Sequence, residues 1–180
     1  MGIHREDLGE QRATGRQPER TIDKYRLDQY MLQLRGNQNL GLGVLGGIIG
    51  GAIGAALWAV ITVLTNFQIG WMAVGVGFLV GYGVRLFGRG VDTSFGVVGA
   101  ALALLGCFAG NLLTVVIVLS REEHMPFLDL LFRLDPRIAL ELMKATFEPI
   151  DLLFYGIAIY EGYRLSIKQL TQEELARLAQ

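Results

Sequence analysis

With 180 residues, 52% of them hydrophobic, and a mean hydropathy of +0.40, the chain is the size of one domain but too apolar for an ordinary soluble one. A net charge of -1, without basic clusters interleaved with aromatics, gives no basis for nucleic-acid binding. The single cysteine, Cys107, excludes an intrachain disulfide and a cysteine-based metal site.

Residues 1–38 read as a charged cytoplasmic leader. Met1 to Arg20 shows no apolar period and is expected to be disordered. From Thr21 the spacing of Ile22, Tyr25, Leu27, Tyr30, Met31, Leu32 and Leu34 predicts a short amphipathic helix at the membrane surface. The first apolar stretch starts only near Leu40, so the first span, rather than a cleavable signal, is expected to direct insertion.

No Asp, Glu, Lys or Arg occurs from Gly36 to Val84, and none from Thr93 to Ser120. About 20 apolar residues cross a bilayer as a helix, so residues 39–120 hold three spans: Leu40 to Leu64, Phe67 to Phe87, and Phe95 to Leu119. Thr65-Asn66-Phe67-Gln68 is the polar turn between the first two, and Trp58 and Trp71 on either side of it are expected at headgroup level. Residues 121–149 are too charged to span. They are expected to form two amphipathic helices on the extracytoplasmic surface, the second capped by Asp135 with Pro136 in its first turn. Residues 150–168 form a fourth span if Glu161 and Arg164 sit at its end, and 169–180 are a cytoplasmic tail. The fold class is therefore an all-α transmembrane bundle of four spans.

Seven basic residues in the leader, against none in the first connection, place both termini in the cytoplasm. Leu42 to Gly47 echoes Phe95 to Ala100, and Gly77, Gly83, Arg85 and Leu86 align with Gly156, Gly162, Arg164 and Leu165. Both matches keep one direction, as two parallel helical hairpins from a duplication would.

Glycines recur every four residues as Gly43, Gly47 and Gly51, and in parallel as Gly46, Gly50 and Gly54, with Gly77 and Gly81, and Gly106 and Gly110, repeating the pattern. Such faces let a second backbone approach closely. At this point packing within the chain and a homo-oligomer contact both stand, and two series on one helix favour a role in assembly.

Several strings dissolve in context. Gly41 to Gly46 has the dinucleotide spacing but neither the strand before it nor the acid after it. Val80-Gly81-Tyr82-Gly83 is like a potassium filter, with Leu79 in place of threonine and Arg85 at the mouth. His4 and His124 are too far apart in sequence to suggest a paired metal site, and no serine sits in a nucleophile elbow. No enzyme activity, metal or cofactor is expected. Glu161, three residues before Arg164 on one face, and Asn111 are the polar intramembrane candidates; with Arg85 they would line a path if the protein were a small transporter or channel subunit.

The run Gln68 to Phe78, then Val84-Arg85 and Gly88, Phe95-Gly96 with Gly99-Ala100, and Gly106-Cys107 with Gly110-Asn111, resembles a group of small bacterial integral membrane proteins of unassigned function. Some of that group carry a zinc-binding segment before the spans, which the cysteine-free leader here lacks. The resemblance implies a bacterial inner-membrane location and no reaction. The expected partners are membrane lipid and further copies of the chain or a larger membrane complex.

Overall fold

The computed structural model describes residues 24–65 and 70–178, and every regular element among them is an α-helix. In order these are α1 (Lys24–Gly36), α2 (Leu40–Thr65), α3 (Trp71–Gly88), α4 (Thr93–Glu122), α5 (Phe127–Arg133), α6 (Pro136–Thr146), α7 (Pro149–Ser166) and α8 (Gln172–Leu178). Met1 to Arg20 and residues 66–68 of the expected turn lie outside the described residues.

Residues 32–169 make one compact unit. In the other, made by 24–31 with 170–178 among the described residues, the Tyr30 hydroxyl donates to Glu174 Oε1 at 2.7 Å. Leu27, Tyr30, Met31 and Leu34 share one face of α1 and are half-buried, while no residue of the helix is fully buried.

Three helices, α2, α3 and α4, are long and apolar enough to cross a membrane. Glycine is a poor helix former in water, but in hydrocarbon every backbone N–H and C=O needs an internal partner, and that requirement overrides the propensity. At 30 residues α4 is about 45 Å long. It closes at Glu123, followed by the left-handed His124 (φ 55°) and Pro126. The Asp135 cap is present, its Oδ1 accepting from Arg137 N at 2.7 Å.

α7 lies along α3 and α4. Trp71 meets Phe154 (centroids 5.9 Å apart), Gly77 meets Ala158 and Gly81 meets Leu165, so α7 runs parallel to α3 and antiparallel to α4. α7 has the 18-residue length of α3, but Asp151, Glu161 and Arg164 leave it outside the apolar set.

The two hairpins cross at equivalent positions. A methyl group added at Gly46 would collide with the Gly83 carbonyl, and one at Gly99 with the Gly162 carbonyl; Gly46 aligns with Gly99 and Gly83 with Gly162 in the sequence repeat. The next contact follows suit, Gly43 against Gly88 in the first hairpin and Gly96 against Ile167 in the second. No described glycine has a positive φ, so these glycines serve closeness of approach rather than backbone freedom.

At the end of the bundle where α2 begins, the connections are tied together. Asn39 N–H donates to Gly88 O (2.9 Å) and Lys168 N–H to Gly90 O (2.8 Å). Asp92 pairs with Arg35 Nε at 3.0 Å and accepts from the Gln38 side chain, whose Oε1 accepts from Val91 N at 3.2 Å.

Candidate functional site

The two glycine series of α2 face different neighbours. Gly46, Gly50 and Gly54 lie against α3, where added methyl groups would meet Gly83, Leu79 and Val76. Gly43, Gly47 and Gly51 face the line where α3 and α4 meet: the Phe95 ring and Gly88 close on Gly43, Leu102 and Val84 on Gly47, and Val80 on Gly51, while a Cβ at Gly106 would stand 3.5 Å from Gly51 Cα. Gly110 receives the Trp58 indole. All eight glycines are buried.

The α2–α4 seam is not filled to the surface. A groove of about 260 Å³ runs along it, floored by Gly47, Gly51 and Gly106 and bounded by Ile48, Ala52, Leu102, Leu105 and Ala109. Ile48, Ala52, Leu105 and Ala109 are exposed on its rims. Its walls are almost wholly apolar, so it can accept aliphatic side chains and offers no group for chemistry.

Polar side chains gather elsewhere. Tyr155 is buried, and the rings of Trp58, Phe108 and Phe147 meet it edge-on at 6.3, 5.6 and 5.9 Å. Edge-on packing places positive ring edges against a negative ring face. The buried Asn111 side chain lies beside Tyr155. Asp151, one turn earlier on α7, is also buried; its Oδ2 accepts from Glu148 N at 3.0 Å in a reciprocal capping box. The Thr114 hydroxyl donates to Gly110 O at 2.9 Å, whereas buried Trp58 Nε1 and Thr62 Oγ1 have no partner among the described residues. Trp58 is thus a core residue and not a headgroup anchor; Trp71 is the exposed one of the pair.

The remaining polar candidates do not join this layer. Glu161 is half-buried near Gly81 at the level of the last turns of α3, Arg85 is half-buried one turn further on, and Arg164 is exposed. No ion pair joins Glu161 to Arg164. Asn111 stands beside Tyr155, whereas Glu161 lies further along α7, at the level of Gly81. The filter-like Val80 to Gly83 lies within α3, where its carbonyls belong to the helix. Among the described residues no group of three His, Cys, Asp or Glu comes together.

Sequence reading missed Tyr155 and Asp151. The signal was present in the spacing of Asp151, Tyr155, Ala158, Gly162 and Ser166, the buried stripe of α7. Comparison with family models, with curated proteins and with solved structures finds no match to this chain.

Proposed function

We propose that the chain is a non-enzymatic integral membrane protein of the bacterial inner membrane that acts by assembly, with α7 as a fourth span and both termini in the cytoplasm. The length of α7 and its contact with α3 and α4 support the fourth span. Of its charges, Asp151 is buried in the first turn and caps the helix, and Glu161 and Arg164 fall towards the end, where side chains reach the headgroups. The positive leader supports the orientation. α5 and α6 lie on the opposite surface, with Leu128, Phe132, Ile138 and Leu140 exposed and directed to the interface.

The observation that carries the assembly reading is the glycine-floored groove. One glycine series is spent on α3, but Gly47 and Gly51, with Gly106, leave a furrow on the outer surface into which the side chains of another helix fit. In a Cys107→Ala background, cysteines placed at Ile48 and at Leu105 should be trapped in adducts between chains in native membranes. If neither rim gives any intermolecular adduct, the groove is a lipid-facing furrow and the assembly reading fails. Glu161→Gln should leave both assembly and folding unchanged; loss of a solute flux from an otherwise folded variant would favour the transporter reading instead.

A further inference from the structure

We propose that the cavity between the start of α2 and the end of α3 is a binding site for one anionic phospholipid, with Arg89 holding the phosphate. The cavity measures about 430 Å³ and is lined by Asn37, Asn39, Leu42, Leu86, Phe87 and Arg89. It is divided by chemistry. Leu42 in the first turn of α2 and Leu86 and Phe87 in the last turn of α3 are exposed apolar walls, whereas Asn37, Asn39 and Arg89 form the end beyond the helices. That is the depth at which a bilayer changes from acyl chain to headgroup.

The charge at this end is unbalanced. Among the described residues no acid lines the cavity, and the neighbouring Asp92 is engaged by Arg35 and Gln38. Arg89 is exposed and has no ion-pair partner among the described residues. The Asn39 Oδ1 accepts from Leu42 N at 3.0 Å, which leaves its NH₂ as a donor. A guanidinium and an amide above apolar walls match a phosphate diester carrying acyl chains.

The backbone supplies an independent reason to assign Arg89 a task. It is the C-cap of α3 in the left-handed region (φ 50°, ψ 28°), its N–H donating to Arg85 O at 3.0 Å. Glycine or asparagine holds that conformation at lower steric cost than arginine does. Glycines stand on both sides, yet they answer another need: at Gly88 and Gly90 a Cβ would run into the Phe95 ring. Of these three positions, the one whose backbone favours glycine carries a long cation instead, and strain of this kind is retained at binding groups.

Native mass spectrometry of the full chain from nanodiscs of phosphatidylcholine mixed with phosphatidylglycerol should show one phosphatidylglycerol retained in preference to phosphatidylcholine. Arg89→Gly should lower that preference about fivefold, the equivalent of ~1 kcal/mol for one basic residue near an anionic surface. Its thermal stability in pure phosphatidylcholine should equal or exceed the wild type, because the left-handed cap is relieved. Arg89→Lys should keep most of the preference. Equal retention of the two lipids by the wild type, or an undiminished preference in Arg89→Gly, overturns the proposal. A fall in stability of Arg89→Gly in phosphatidylcholine also counts against it, since Arg89 would then be a structural residue.

Discussion

Gly46→Ala and Gly99→Ala should each destabilise the bundle by about 1–3 kcal/mol, and leucine at either position should prevent the native fold. The reason is what the added group meets. At Gly46 it is the Gly83 carbonyl, and at Gly99 the Ser166 hydroxyl together with the Gly162 carbonyl; backbone cannot rotate aside as a side chain can. Relief comes only by separating the helices, which forfeits close packing along the whole crossing. Gly75 and Gly156 are the matched controls, since a Cβ at either has nothing within 4 Å. Alanine there should be neutral or stabilise by about 0.5–1 kcal/mol through helix propensity. The check is the denaturation midpoint of the four alanine variants, followed by circular dichroism in a mild detergent. If Gly46→Ala behaved like Gly75→Ala, the close crossing of α2 and α3 would be wrong. If Gly46→Ala and Gly99→Ala differed widely, the equivalence of the two hairpins would be wrong.

Trp58→Ala should cost about 3–5 kcal/mol, and Trp58→Phe much less. The indole is fully buried, lies against Gly110 and meets Tyr155 edge-on, so alanine leaves a void in the most aromatic layer of the bundle. Phenylalanine keeps most of that packing. It also removes the Nε1–H, a buried donor without a partner among the described residues, whose unmet desolvation is on the order of 1–3 kcal/mol. The loss of volume and the loss of the orphan donor therefore oppose one another. Equal destabilisation by Ala and Phe would mean that the N–H has an acceptor in the native protein.

The arrangement also bears on how assembly and lipid binding coexist. The glycine-floored groove lies along the α2–α4 seam, whereas the Arg89 cavity lies between α2 and α3 at one end. The rim variants Ile48→Cys and Leu105→Cys lie outside the Arg89 cavity, and Arg89→Gly leaves the groove residues in place. The two experiments therefore report on separate surfaces.

Charge distribution alone was enough to show a membrane protein. Two blocks without a charged residue have no other low-energy home, and their lengths set α2, α3 and α4 to within a few residues of the observed ends. Asp135-Pro136 was equally legible, because a cap and its first turn are local. Partner choice along the glycine faces was not. The spacing of Gly43, Gly46, Gly47, Gly50, Gly51 and Gly54 states that backbones approach, but only the folded chain directs one series to α3 and the other to the line where α3 and α4 meet. Trp58 shows the same division. An indole near a span end suits the interface, and only the space left by Gly110 draws it into the core. The levels of Asn111 and Glu161 were readable only in three dimensions, where Asn111 stands beside Tyr155 and Glu161 near Gly81. The sequence by itself determined that the chain must leave water, and where each long helix starts and stops, because hydrophobic length and local capping depend on neighbours in the chain. The tertiary structure alone decided which glycine face stays open and which polar groups meet, because those depend on residues far apart in the chain arriving at the same depth.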